Sequence, residues 1–427
     1  MSVPLMPTAA TSTSRAAYAF VLIVSLFFLW GVANNLNDIL IKQFKKAFEL
    51  SDLRAGLVQS AFYAGYFLLA LPASLITRRF GYKAALLIGL GLYASGAFLF
   101  YPAAALRTYA LFLGALFIIA SGLAFLETAA NPLVTVLGPA EGAARRLNLA
   151  QSFNPLGSIT GVLIGQHFIF SGVELTSPQL AGMAANARAA YYASQSAAVA
   201  GPYLVIGAVV LAWMLLIGMV SLPSAAGGGA GHPARGVQIR ELLRNTNLVL
   251  AILAQFFYVG AQVGIWSYLI RYAQQTLPGT SERHAADFLT VALVIFMIGR
   301  FAGTALMRYL PPARLLGIFA SVALALVTVA LTIPGRVGTD ALVATAFFMS
   351  IMFPTIFALG LRGLDDNDRK IASSFLVMAI IGGATLTVVM GAISDAAGIH
   401  RAMIVPIMCF AVVLGFASYT GTLRTPV

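Results

Sequence analysis

Runs of about twenty apolar residues repeat along the whole chain, and charged or turn-forming residues separate them. A helix of about 20 apolar residues crosses the hydrocarbon core of a bilayer, because each residue adds ~1.5 Å to a span of ~30 Å. In lipid, the helix also satisfies its own backbone hydrogen bonds. The sequence therefore predicts an all-α polytopic membrane protein with about 12 transmembrane helices, near residues 17–41, 55–77, 84–104, 108–137, 147–170, 202–222, 247–270, 285–307, 314–334, 341–361, 371–394 and 402–422.

Charge is too scarce in this chain to cover a water-soluble surface. Charged residues make up 9% of its 427 residues, against about 25% in soluble domains. The formal net charge is +12, but the basic residues sit in short clusters between apolar runs, such as Arg78, Arg79 and Lys83. This pattern is typical of loops at a membrane surface and argues against nucleic-acid binding. One cysteine excludes an intrachain disulfide, and four histidines without ligand spacing predict neither a metal nor another cofactor.

A Gly- and Ala-rich stretch near the middle of the chain marks a flexible connection. It predicts a cytoplasmic linker at 223–246 between two six-helix bundles, at 15–222 and 247–424. With both termini and this linker on one side, that side has 15 basic residues in its loops and the other side has 10. The excess favours a cytoplasmic position for both termini. Paired bundles of this kind are typical of transporters whose site lies between the halves.

Two acidic residues, Asp38 and Glu127, lie inside apolar runs, whereas the other twelve lie in or next to loops. A charge in the membrane core costs roughly 2.5–3.5 kcal/mol on insertion scales. Such a side chain faces a polar cavity, pairs with a cation or binds a proton. Helical spacing places Asn34, Asn35 and Asp38 on one face, and Asn131 one turn after Glu127. These residues are candidates for proton coupling and ligand binding, and inert packing of two protonated acids is the alternative.

Polar side chains also follow one face of the seventh predicted helix. Amides donate to and accept from hydroxyl groups, and an indole ring stacks on the apolar face of a sugar ring. Ordinary hydrogen bonding between helices is the alternative and contributes about 0.6 kcal/mol per bond. For the seventh helix we favour a ligand surface, formed by Gln255, Tyr258, Gln262 and Trp266; shorter polar stripes lie at Gln59, Tyr63 and Tyr66, and at Asn148, Gln151 and Ser152.

Arg300 interrupts the eighth apolar run. It could pair with an acid, hold one conformation through backbone carbonyls, or extend to the cytoplasmic surface. A structural or gating role is favoured over contact with a ligand.

Four segments resemble the L-fucose permease-like family of fucose–galactose–glucose proton symporters, within the major facilitator superfamily. They read FFLWGVANNLND at 27–38, LETAANP at 126–132, NLAQSFN at 148–154 and FYVGAQV at 257–263. The resemblance implies the major facilitator fold and identifies Asp38 and Glu127 with the two membrane acids tied to proton coupling and sugar recognition. The loop signature of the superfamily is degenerate here, since SLITRRFGYK at 74–83 lacks the first glycine and the acid. Arg78 and Arg79 remain as candidate gating residues, while this loop lacks the acid that the usual ion-pair lock of the superfamily needs.

The expected activity is uptake of a monosaccharide by proton symport through alternating access, with a monomer in the bacterial inner membrane. Asp38 binds the proton, and the fucose, hexose or amino-hexose sugar binds through Glu127, Asn131, Gln151, Asn154, Gln255 and Gln262. The alternatives are sodium as the coupling ion, proton-coupled efflux of amphipathic compounds, and a membrane sugar sensor without transport. An enzyme is not expected, because no nucleophile–base set or phosphate-binding loop is evident.

Overall fold

The computed structural model describes residues 20–33, 52–164, 182–220 and 239–422, with residues 48, 168 and 179 between them. Its secondary structure in these ranges is helical, without a strand. Nine of the helices are long and apolar enough to cross a membrane, and the shorter apolar helix Phe20–Ala33 accompanies them. Two features relate these helices to the twelve predicted spans: two helices meet at Gly81 without a loop between them, and three spans are broken into two segments each.

The second and third predicted spans are two helices within Asp52–Ala105 that meet at Gly81. At Gly81 the backbone has φ 85 and ψ 170, which only glycine adopts easily. Three spans are each broken into two helical segments: the fifth at Ser152, the tenth after Met349 and the eleventh after Met378. With these two features, the helices are α1 Phe20–Ala33, α2 52–80, α3 82–105, α4 Tyr109–Val136, α5 Ala143–Gln151 and Phe153–Ile164, α6 Ala185–Met219, α7 Thr246–Thr276, α8 Glu282–Leu306, α9 Pro312–Thr332, α10 Arg336–Met349 and Met352–Gly360, α11 Asp366–Met378 and Gly382–Ala397, and α12 Ile404–Thr422.

The all-α fold with about twelve spans is thereby confirmed. Short helical turns connect several spans, at Ala140–Gly142, Ile239–Leu242 and Arg401–Met403, and the turn Ala379–Ile381 joins the two segments of α11. The Ala-rich stretch at 180–200 lies before the predicted sixth span and is helical from Ala185 onward. A helix of 35 residues is about 52 Å long. It therefore exceeds the membrane core of ~30 Å and projects beyond it at its beginning.

Polar side chains show which helix ends share one side of the membrane. Lys83, after the turn between α2 and α3, donates to the carbonyls of Gly218 and Val220 at 2.8 and 2.9 Å, at the end of α6. Asn247, at the start of α7, donates at 2.8 Å to the carbonyl of Leu359, near the end of α10. We call this side, on which α6 ends and α7 begins, the linker side. Residues 221–238 lie outside the described residues.

Glycines allow the same crossing of helices in each half of the chain. A Cβ on Gly157 of α5 would overlap the carbonyl of Phe28 on α1. A Cβ on Gly382 of α11 would likewise overlap the carbonyl of Phe256 on α7. The first and fifth helices of both halves therefore approach at backbone distance, as small residues permit in membranes. The halves, α1–α6 and α7–α12, thus repeat one architecture, while the bounds 15–222, 223–246 and 247–424 remain a prediction.

Candidate functional site

A carboxylate is buried in the middle of the N-terminal half. Glu127 of α4 is 0% exposed and lies about 14 Å along the helix from Val136, its linker-side end. Neither carboxylate oxygen has a hydrogen-bond partner within the described part of the chain. An unpaired buried polar group costs about 1–3 kcal/mol, and a charged one costs more. Glu127 is therefore placed to bind a proton or the hydroxyl groups of a ligand.

Hydrogen-bond donors from three helices surround this carboxylate. Tyr66 of α2 lies within electrostatic range of Glu127 and beside the indole of Trp30 on α1. The Trp30 indole nitrogen, the Tyr66 hydroxyl and the Asn131 amide nitrogen are buried, and none has a described partner at hydrogen-bond distance and angle. We call Trp30, Tyr66, Glu127 and Asn131 the polar site. A buried acceptor among several donors matches a ligand with many hydroxyl groups.

Helix α5 supports the polar site through its side chains. The Gln151 side chain donates from Nε2 to Oδ1 of Asn131 at 3.0 Å, which fixes the orientation of the Asn131 amide. Asn154 donates from Nδ2 to the carbonyl of Phe27 on α1 at 3.3 Å and is half-buried. The structure thus brings together Glu127, Asn131 and Gln151, as the sequence predicted. It places Asn154 against α1 at the edge of this group.

The predicted stripe on α7 divides into residues with and without protein partners. Gln255 is buried, and both its amide atoms are unpaired among the described residues. Tyr258 is also buried, but its hydroxyl donates to the carbonyl of Met349 on α10 at 2.9 Å. Gln262 and Trp266 are half-buried, and the Trp266 indole nitrogen is unpaired in the same sense. Gln255 lies about as far along its helix from the linker side as Glu127 does, so the two belong to one depth.

Several predicted residues fall elsewhere. Asn34, Asn35 and Asp38 lie outside the described residues, and so does the side chain of Gln59. Tyr63 of α2 is half-buried and reaches the other half, since a Cβ built on Gly383 of α11 would lie 3.0 Å from its hydroxyl.

Arg300 of α8 is 4% exposed and forms no ion pair with a described carboxylate. Its Nε donates to the carbonyl of Ser350 on α10 at 2.7 Å, within the same half. Its Nη1 donates at 2.9 Å to the carbonyl of Gln151, in the other half. The guanidinium carbon also lies 4.7 Å from the centre of the Phe296 ring. Of the three alternatives for Arg300, the geometry corresponds to contact with backbone carbonyls.

Further contacts between the halves lie on the linker side of the polar site. Tyr82 donates to Oδ1 of Asp366 at 2.9 Å, and Lys370 pairs with the other oxygen of that carboxylate at 2.5 Å. We call these three residues the linker-side latch. Deeper in the membrane, three further pairs join the halves: Asn148 Nδ2 to Thr355 Oγ1 at 3.1 Å, Ser373 Oγ to the carbonyl of Thr128 at 3.0 Å, and Arg300 to Gln151.

Sequence reasoning missed the latch and one member of the polar site. Asp366 and Lys370 were counted as loop charges, although their i, i+4 spacing at a helix start was a usable signal. Trp30 was absent from the predicted site residues, although it lies one helical turn before Asn34 on the same face. Of the two predicted loop residues, Arg79 is exposed and lies over the ring of Phe80, and Arg78 is half-buried.

Comparison with known proteins gives relatives along nearly the whole chain. The sequence profile of the Major Facilitator Superfamily matches residues 18–380. The L-fucose-proton symporter of Escherichia coli (strain K12) is 47% identical over 411 residues, covering 95% of this chain and 94% of the relative. A glucose/galactose transporter of Brucella abortus biovar 1 (strain 9-941) is 37% identical over 409 residues, covering 95% of each. The crystal structure of the major facilitator transporter FucP in the outward conformation has a TM-score of 0.88 at 47% identity, covering 95% of this chain and 99% of that one.

Proposed function

The chain belongs to the major facilitator superfamily, and from this premise we propose that it imports a monosaccharide together with a proton. The observation that carries the proposal is Glu127, a fully buried carboxylate near donors from α1, α2 and α4 that accepts no hydrogen bond from a described residue. Relatives that cover nearly the whole chain are a fucose-proton symporter and a glucose/galactose transporter. No catalytic step on the sugar is involved, and the chain is a transporter rather than an enzyme.

Proton coupling follows from the cost of the buried charge. Glu127 lacks a described cationic partner, so its ionised form is penalised by the low dielectric around it. Binding a proton removes that penalty, and the neutral carboxyl then both donates and accepts a hydrogen bond. We assign the proton pathway to Asp38 and Glu127, with Asp38 nearer the side opposite the linker. The assignment of Asp38 comes from its place in the sequence and from the family resemblance.

Sugar recognition is assigned to the unpaired donors and acceptors at the depth of Glu127. In the N-terminal half, the polar site and Gln151 offer amide, carboxyl and hydroxyl groups, while Trp30 offers an aromatic face. In the C-terminal half, Gln255 offers a complete amide and Trp266 an indole. Tyr258 is a weaker candidate, because its hydroxyl already donates to Met349. The remaining assigned residues, by sequence position, are Asn34, Asn35, Gln59, Tyr63, Asn154 and Gln262.

The orientation in the membrane is assigned from charge. The linker side bears more basic loop residues and becomes the cytoplasmic side. The contacts between the halves on the linker side then close the cytoplasmic path, and the site opens outward. The similarity to the outward conformation of a relative supports this assignment. We place the protein in the bacterial inner membrane as a monomer, since one chain provides both halves.

Uptake into proteoliposomes tests the proposal. Radiolabelled L-fucose, galactose, glucose, mannose and N-acetylglucosamine are offered with an inward proton gradient, an inward sodium gradient or no gradient. Accumulation of one sugar under the proton gradient is expected. In Glu127→Gln or Asp38→Asn, accumulation is lost while exchange of labelled for unlabelled sugar persists. Accumulation driven by sodium alone would refute proton coupling, and absence of flux for every sugar from folded protein would refute the substrate class.

A further inference from the structure

Three prolines inside or between transmembrane helices each free a backbone carbonyl. In an α-helix the carbonyl of residue i accepts from the N–H of residue i+4, and proline has no N–H. Pro132 therefore frees the carbonyl of Thr128 on α4. In the same way, Pro155 frees the carbonyl of Gln151, and Pro354 frees the carbonyl of Ser350.

All three freed carbonyls accept hydrogen bonds from side chains of the C-terminal half. Arg300 donates to the carbonyls of Gln151 at 2.9 Å and Ser350 at 2.7 Å. Ser373 of α11 donates to the carbonyl of Thr128 at 3.0 Å, and its hydroxyl also lies 2.7 Å from the carbonyl of Lys370 in its own helix. Two of these bonds, to Thr128 and to Gln151, cross between the halves.

We propose that Arg300 and Ser373 are positioning residues that close the linker side by occupying carbonyls freed by Pro155 and Pro132. Two carbonyls of the N-terminal half thus become docking points for the C-terminal half. When the linker side opens, water replaces Arg300 and Ser373 at these carbonyls, and Ser373 keeps its own helical acceptor. Each carbonyl is satisfied in both states, so the two states remain close in free energy, as a carrier requires.

The same contacts connect closure to the proposed sugar site. The carbonyl of Gln151 accepts a hydrogen bond from Arg300, and the side chain of Gln151 orients Asn131. The carbonyl of Thr128 accepts a hydrogen bond from Ser373, and Thr128 directly follows Glu127 in α4. A ligand that moves Asn131 or Glu127 therefore moves a residue that carries a docking carbonyl. This inference rests on the proposed transport function for its biological meaning, whereas its test needs neither sugar nor proton gradient.

The test measures closure of the linker side directly. Nitroxide labels on Glu141→Cys and Asn367→Cys, both exposed and in opposite halves, report the linker-side distance by double electron–electron resonance. The background contains Cys409→Ala to remove the one native cysteine. A second pair, on Glu141→Cys and Arg79→Cys within one half, controls for folding. Arg300→Gln is compared in the native and Pro155→Ala backgrounds, because alanine at 155 restores the N–H that pairs with the Gln151 carbonyl.

In the native background, Arg300→Gln is expected to shift the closed-to-open ratio roughly tenfold toward the open state, because it leaves a buried carbonyl unpaired. In the Pro155→Ala background, the change in the closed-to-open ratio caused by Arg300→Gln is expected to be smaller by more than about threefold. Such a difference would show that the two positions are energetically coupled. Arg308→Gln, which removes an exposed positive charge from the turn after α8, is expected to leave the ratio unchanged. No shift with Arg300→Gln, or shifts that agree within about threefold in the two backgrounds, would overturn the proposal.

Ser373 provides the same test without loss of a charge. Ser373→Ala is expected to open the linker side in the native background and to have a smaller effect beside Pro132→Ala, while Ser373→Thr keeps the native ratio. If Arg300→Gln changes the control distance within one half, the Ser373 series decides the outcome by the same criterion. Coupling to proline without sugar uptake would refute the proposed substrate, whereas uptake without coupling to proline would refute the docking carbonyls.

Discussion

Replacement of Tyr82 by phenylalanine is expected to weaken closure of the linker side without removing packing. The hydroxyl of Tyr82 donates to the Asp366 carboxylate at 2.9 Å, and the ring lies 5.0 Å below the Lys370 ammonium. Phenylalanine keeps the ring and removes only the hydrogen bond. A hydrogen bond to a charged group contributes about 1.5–3 kcal/mol.

The magnitude is reduced by two features of the latch. The Asp366 side chain is 26% exposed, so water partly replaces the lost donor. Lys370 also remains paired with the carboxylate at 2.5 Å and stabilises its charge. We therefore expect a loss of about 1 kcal/mol, which is a shift of about fivefold in the closed-to-open ratio.

The label pair on Glu141→Cys and Asn367→Cys provides the assay, with the ratio taken from the populations of the short and long distances. Tyr101→Phe is the matched control, since it removes a hydroxyl from an exposed tyrosine near the end of α3 opposite the linker side. A ratio unchanged by Tyr82→Phe, or changed equally by Tyr101→Phe, would show that the latch does not stabilise closure.

Three further predictions concern the site and the helix contacts. Uptake by the native protein is expected to fall as external pH rises, since the protonated form is the transported form. Exchange by the double variant Asp38→Asn, Glu127→Gln is expected to be independent of pH, because neither carboxyl remains; equal profiles of native protein and double variant in exchange assays would contradict this role. Gly157→Ala is expected to destabilise the fold by about 1–3 kcal/mol, because its methyl group overlaps α1. The control Gly201→Ala, whose methyl group would have no atom within 4 Å, is expected to change the melting temperature little. Similar melting temperatures for both variants would refute the close crossing of α1 and α5. Arg146→Ala is expected to lower the melting temperature, because it removes hydrogen bonds to four carbonyls at the end of α4. The control Arg188→Ala, at an exposed arginine, is expected to leave the melting temperature unchanged. Equal decreases for both variants would show that Arg146 does not cap α4.

Hydropathy predicted most of the fold because lipid imposes one rule on every span. A segment that crosses the core has to be apolar and helical, so hydropathy located most of the described span ends within a few residues. The beginning of α6 escaped this rule, since it projects beyond the core and alanine favours a helix in water as well as in lipid. The division at Gly81 was visible only as a loop, because the chain turns there through one residue rather than through a stretch of polar residues.

The candidate site was predicted in part because a charge inside an apolar run is a strong signal. Glu127 and Asn131 followed from that signal and from helical spacing, and Gln151 from a short polar stripe. Tyr258 shows the limit of such reasoning, because a tyrosine that contacts a ligand and one that donates to Met349 have the same spacing on the helix. Which polar residue has a protein partner depends on the neighbouring helix, and the neighbour is not encoded in the periodicity.

The docking carbonyls show where sequence and structure each contribute. A proline in a helix identifies its acceptor from sequence alone, since the unpaired carbonyl lies four residues earlier. Three free carbonyl acceptors could therefore have been predicted from the positions of Pro132, Pro155 and Pro354 in the sequence. Their donors could not, because Arg300 and Ser373 lie far along the chain and reach these carbonyls only when the halves meet. The buried Arg300, which has no acidic partner among the described residues, is then explained, since its charge is stabilised by carbonyl dipoles that prolines had made available.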